Sequence, residues 1–163
     1  MSIRWGEAQS QDERWMRLAL AQAQRAEQHG EVPVGAVLVI GEHLVAVAHN
    51  QPISSCDPTA HAEVVALRLA AHAQHNYRLP QATLYVSLEP CLMCLGAMMH
   101  ARIQRLVFAA NEPRAGVLIS RSLALDFFNH HLQVTSGVLS MEGGALLRLF
   151  FQKKRRLNSS DNQ

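Results

Sequence analysis

Two short stretches carry side chains whose types and spacing suit metal chemistry: H-A-E at residues 61–63 and P-C-L-M-C at residues 90–94. Cys91 and Cys94 stand three residues apart, on one face of a helix that starts behind Pro90. Unpaired backbone N–H groups and the positive end of the helix dipole favour thiolates in such a first turn. Two thiolates on one face make a bidentate clamp for a metal ion. By itself the pair also fits a redox dithiol, half of a structural zinc site, or two buried cysteines at helical spacing. His61 by itself fits a capping or buried hydrogen-bonding residue.

Together the three residues say more. His61 also heads a helix, so two helix N-termini facing one another across adjacent strands would gather one imidazole and two thiolates. Three protein ligands is the count of a catalytic zinc site, whose fourth position stays open for water. A structural site needs a fourth protein ligand. Cys56, five residues before His61, is the candidate, and a closed Cys3His site is the alternative to catalysis. Cys56 precedes Asp57-Pro58 in a turn and no spacing pattern ties it to the others, which favours a loop cysteine without a role. Glu63 separates the two readings. At an exposed helix start a glutamate merely complements the dipole. Two positions after a zinc-binding histidine, it can take a proton from a water acidified by the metal and pass it to a nitrogen of a substrate ring.

The elements that must position these residues follow from periodicity. Ser10 and Glu13 fit the capping box S-x-x-E, and Trp15, Leu18, Ala19, Ala23 and Ala26 recur at helical spacing, so a first helix starts at Ser10 and stops at Gly30. VGAVLVI (34–40), a turn at Gly41 and Glu42, and LVAVAH from Leu44 predict a hairpin. A second helix begins near Asp57, with Asp57 as cap and Pro58 in its first position, and ends before Asn76 and Pro80. TLYVSL (83–88), a helix from Cys91 and RLVFAA from Arg105 form a parallel βαβ unit. A loop runs to about Ser120, then an ill-defined segment to His131. LQVTSGVL holds one more strand, and a last helix from Met141 ends in KKRR. This order predicts an α/β fold, a three-layer sandwich with helices on both faces of a mixed sheet.

Composition sets the outer bounds. With 163 residues, 48% hydrophobic and 17% charged, the chain is long enough for one domain with its own core. The start, MSIRWGEAQSQDERW, lacks the apolar core of a signal peptide, and no apolar run reaches bilayer length, so no membrane is expected and the cytoplasm is the default address. Three cysteines suit metal or redox chemistry better than a secreted disulfide framework. A net charge of +2 permits a nucleic-acid partner without requiring one.

H-A-E together with P-C-x-x-C is the zinc deaminase signature. The wider sequence resembles the bacterial tRNA-specific adenosine deaminases, which convert the wobble adenosine (position 34) of an arginine tRNA anticodon to inosine. EVPVGAVLV from Glu31, DPTAHAE from Asp57, NYRL from Asn76, ATLYVSLEPCLMCLGAMMHARI from Ala82 and RLVF from Arg105 carry the resemblance, which spans residues 12–155. It implies a cytidine-deaminase-like α/β/α sandwich around a five-stranded sheet, with residues 1–155 as a single deaminase domain and 156–163 as a flexible tail. It also implies one Zn2+ per subunit on His61, Cys91 and Cys94, with Glu63 as the catalytic proton shuttle. The partner implied is a tRNA anticodon stem-loop, held by a homodimer with contacts from both subunits. Asn50 matches an asparagine that hydrogen-bonds the target nucleotide, although Asn50-Gln51-Pro52 is also a good turn. The Ala62 N–H is expected to help hold the purine, and Val32 and Leu88 to wall it.

Departures and alternatives accompany this resemblance. In the loop after the Arg105 strand the family carries an aspartate, a lysine and a glycine; here NEPRAG offers Glu112, Arg114 and Gly116. Lys153, Lys154, Arg155 and Arg156 suit either a solvated helix end or phosphate contact. His72 and His75 are read as surface residues. Two other functions fit parts of the pattern: a deaminase of free nucleosides, nucleotides or bases such as cytidine or guanine, and a non-catalytic zinc-stabilised RNA-binding module.

Overall fold

The computed structural model describes residues 5–126 and 128–160. Among the described residues ten elements follow one another: α1 (Trp5–Gln28), β1 (Gly35–Ile40), β2 (His43–His49), α2 (Pro52–Ser55), α3 (Ala62–Gln74), β3 (Ala82–Leu88), α4 (Leu92–His100), β4 (Arg105–Ala110), β5 (Gln133–Ser136) and α5 (Ser140–Ser160). The strands form one five-stranded sheet in the order β2-β1-β3-β4-β5. β1 is antiparallel to β2 and β3, while β3, β4 and β5 run parallel. The sheet is therefore mixed, as expected.

Strand alternation divides the core in two. Leu38, Leu84, Val86, Leu106 and Phe108 point to one face, where α3 and α4 cover them with Val64, Leu67, Leu95 and Met98. Val37, Val39, Tyr85 and Val107 point to the other, against Trp15, Met16, Ala19 and Leu20 of α1 and Leu146 of α5. Neighbouring residues on each strand thus serve opposite layers, which is the period-2 signature of a sheet buried on both sides. α1 lies close to the sheet: a Cβ at Gly35 would come within 2.0 Å of the Ala19 carbonyl oxygen. Only glycine lets the helix and strand backbones approach this closely.

Three boundaries differ from expectation. α1 begins at Trp5, so Ser10 and Glu13 lie inside the helix and do not form its capping box; Glu7, Ala8 and Gln9 are good helix formers that carry the helix further back. α3 begins at Ala62. Asp57 instead closes a turn, its Oδ1 accepting the Thr59 N–H at 2.8 Å and the Thr59 hydroxyl at 2.7 Å, so its side chain serves an Asx-turn ahead of the helix. At the other end α5 continues through Ser160. Residues 156–160 of the expected tail are helical, and 161–163 lie outside the described residues. Among the described residues no helix is long and apolar enough to cross a membrane.

Candidate active site

His61 and Cys91 hold equivalent positions. Each is the N-cap of its helix, α3 and α4 respectively, with extended backbone (φ −68°, ψ 151° and φ −78°, ψ 172°) and no side-chain capping hydrogen bond. Both helices pack on the same face of the sheet, so these two uncapped starts can turn their side chains toward one another. His61 Nδ1 lies 3.7 Å from Cys91 Sγ and 3.4 Å from Cys94 Sγ, and the two sulfurs are 3.6 Å apart. For a tetrahedral zinc ion with ordinary bond lengths, the S–S and S–N edges come to about 3.8 and about 3.6 Å. The three ligand atoms already stand at the corners such an ion requires. Among the described residues this is the cluster of His, Cys, Asp and Glu able to hold a metal.

Cys56 is not part of it. Its side chain is exposed and its sulfur faces the Ile53 carbonyl at 3.8 Å, so the closed four-ligand alternative fails on geometry. The hydrogen bond between the two thiols pushes Cys91 down to about 4, while the same bond and burial push Cys94 up. The hydrogen bond to Cys91 raises the His61 imidazole, outweighing its partial burial. A divalent cation bound here would take the place of the thiol protons.

Glu63 sits in the first turn of α3 and is 4% exposed. That excludes the solvent-facing dipole role. Burial pushes its carboxyl up to about 7, the range in which a group both takes and gives a proton at neutral pH. Its charge acts on His61 and Cys94, which places it beside the cluster.

Asn50, directly after β2, is buried, and its Oδ1 accepts the Ala62 N–H at 2.8 Å. The Ala62 N–H, expected to meet the purine, is thus engaged by Asn50. What remains of the pair for a ligand is the Asn50 amide nitrogen. Val32 and Leu88 are half-buried at the margin of the core cluster that contains Ala62 and Cys94.

Glu31 and Glu89 are among the buried acids that escaped the sequence reading. Glu31 accepts the Ile53 and Ser54 N–H groups at 3.3 and 2.8 Å and so holds the start of α2. Glu89 accepts bonds from Glu112, Ile119 and Ser120. Burial would raise its pKa, but the Ser120 hydroxyl and the backbone N–H donors hold it below the usual carboxylate value. The available signal was an acid ending an otherwise apolar strand run, TLYVSLE.

Further along, the loop after β4 and helix α5 enclose a cleft of about 500 Å³ lined by Asn111, Arg114, Arg148, Phe151, Gln152 and Arg155. Of the four C-terminal cations, Lys153 pairs with Glu27 on α1 at 2.7 Å and Lys154 lies over the Phe150 ring at 5.1 Å, while Arg155 lines this cleft.

Comparison with known proteins agrees with this architecture. Residues 9–110 match the family described as the cytidine and deoxycytidylate deaminase zinc-binding region. The chain is 51% identical over 147 residues to the tRNA-specific adenosine deaminase of Haemophilus influenzae, covering 88% of this chain and 85% of that protein. The corresponding Bacillus subtilis protein is 43% identical, with 90% and 92% covered. A solved structure from a study of A-to-I editing by tRNA:A34 deaminases at the wobble position superposes with a TM-score of 0.77 at 39% identity, covering 82% of this chain and 99% of that one. Guanine deaminase from Bacillus subtilis superposes at 0.59 with 40% identity, covering 61% and 64%. The chain belongs to the cytidine and deoxycytidylate deaminase zinc-binding family, whose members hydrolyse an amidine C–N bond, and within it to the tRNA-specific adenosine deaminases.

Proposed function

We propose that this chain deaminates adenosine to inosine at wobble position 34 of a tRNA anticodon, with arginine tRNA as the preferred substrate, as one domain over residues 1–155 acting in the cytoplasm. The observation that carries the reading is the His61–Cys91–Cys94 cluster with the buried Glu63 at its side.

In this reading His61, Cys91 and Cys94 hold one zinc ion per subunit. Zinc, when bound, supplies a Lewis acid that brings the pKa of water toward neutrality. Glu63 would take a proton from the attacking water, deliver it to the purine ring nitrogen and then carry a proton to the departing amine. The balance is adenosine plus water to inosine plus ammonia. The Asn50 amide donates to the nucleotide, and Ala62 is small enough for the purine to lie against the helix start. Val32 and Leu88 form the apolar wall. A base in a single-stranded loop costs least to unstack, which favours an anticodon.

The cleft beside α5 supports an RNA partner, since Arg114, Arg148 and Arg155 line it together with the aromatic Phe151, a combination suited to phosphates and stacked bases. A homodimer with contacts from both subunits is supported by exposed Leu69 on α3 and by Leu92 and Met93 on α4, apolar surface that a second copy would cover.

The test is inosine formation at position 34 on arginine tRNA, run beside ammonia release from free adenosine, cytidine and guanine. Inosine on the tRNA with little turnover of the free compounds is expected. Turnover of the free compounds alone would overturn the proposal in favour of a base or nucleoside deaminase.

A further inference from the structure

Glu89 lies between the end of β3 and Pro90-Cys91, and its side chain is 2% exposed. Its carboxylate accepts four hydrogen bonds, none from a cation. The Glu112 N–H (2.9 Å) and the Ser120 hydroxyl meet Oε2, and the N–H groups of Ile119 (2.8 Å) and Ser120 (2.9 Å) meet Oε1. All four donors come from residues 112–120, the loop that follows β4.

The loop is shaped to this carboxylate. A Cβ at Gly116 would lie 2.5 Å from both Cδ and Oε2 of Glu89, so glycine is what lets the backbone lie across it. Next to it the Val117 N–H donates to the Pro90 carbonyl at 3.3 Å, and Val117 and Leu118 are buried in the cluster that holds Cys94 and Leu95. The same loop presents Glu112, Pro113 and Arg114 to the cleft beside α5. One carboxylate, two residues before Cys91, therefore joins the start of the α4 helix to a wall of the cleft.

We propose that Glu89 is a positioning residue that clamps this loop in register with the zinc-binding helix, so that the cleft and the reacting centre address the same RNA. The proposal rests on the tRNA reading above for its substrate, but the clamp itself is a property of the free protein. Loosening it releases the wall that receives the RNA and leaves Glu63 and the three ligand atoms where they are. Substrate capture should suffer before chemistry does.

Glu89→Gln tests this in the zinc-loaded full chain. Without RNA, hydrogen exchange should rise about tenfold at the Glu112, Ile119 and Ser120 amides, since a lost bond to a charged acceptor is worth at least that factor. Zinc content should stay at one per chain. With an anticodon stem-loop, KM should rise about tenfold while kcat changes much less. Ser120→Ala, which removes one donor, should give a smaller rise in KM. Unchanged exchange, lost zinc, or a fall in kcat at constant KM would each overturn the clamp. Should Glu89→Gln fail to fold, Gly116→Ala and Ser120→Ala decide the matter from the loop side, and an unchanged KM in both refutes it. Absence of inosine formation by the wild-type chain would refute the tRNA reading alone, because the exchange measurement needs no substrate.

Discussion

The backbone N–H of Ala62 donates to Oδ1 of Asn50 at 2.8 Å, so the residue that ends the hairpin and the residue between His61 and Glu63 are held as one unit. Asn50→Ala removes the acceptor and leaves a buried N–H unpaired, which costs about 1–3 kcal/mol. Melting of the zinc-loaded protein without RNA should therefore shift down by about 2–10 °C. An unchanged melting temperature would mean that water or a shifted helix start replaces the bond.

Glu63 is buried beside the ligand cluster without belonging to it. Glu63→Gln keeps the volume and should abolish the proton transfer proposed for this carboxylate. Zinc measured by mass spectrometry should remain near one per chain, while inosine formation falls by about 10²–10⁴. Near wild-type turnover would remove Glu63 from the chemistry and favour the reading as an RNA-binding module.

Tyr85 donates its hydroxyl to Asp12 Oδ1 at 3.0 Å on the α1 side of the sheet, where Arg105 also grips Asp12. Burial and then the Asp12 charge push its pKa up. Because the folded value lies above the unfolded one, the contribution is intact below about pH 10 and is lost as pH rises further, by up to about 1.4 kcal/mol per pH unit. Thermal melts of wild type and Tyr85→Phe across that range should converge as pH increases. Parallel curves would show that Tyr85 titrates as it does in the unfolded chain.

Arg155 and Lys153 stand two residues apart with different surroundings, the first in the cleft and the second paired with Glu27. Arg155→Ala should weaken tRNA binding and lower the salt slope of log K by about 1. Lys153→Ala should leave the slope unchanged and cost at most about 1 kcal/mol of stability. Equal slopes for both variants would contradict a role for the cleft in phosphate contact.

Much of this was legible in the chain. The β-branched run VGAVLVI and the strand candidate TLYVSL placed the sheet, and His61, Cys91 and Cys94 come together because two helices start where strands and turns end. What was not legible depends on partners distant in sequence or on competing local bonds. Nothing near Asp57 reveals that Thr59 will take its side chain and delay α3 to Ala62. Glu89 reads as part of a motif until the loop 112–120, which has no periodic signal of its own, folds back over it. The basic KKRR run likewise reads as one patch, whereas helical spacing sends its members to different neighbours.

His61 and Cys91 also set a limit on how far this protein can be stabilised. A serine, threonine, aspartate or asparagine at an N-cap is a common route to a sturdier helix, adding about 1 kcal/mol at each position. Here the two helices that build the centre begin on residues that make no capping bond. Any thermostable variant must seek its gains elsewhere, because improving these two helix starts would remove the side chains that meet between them.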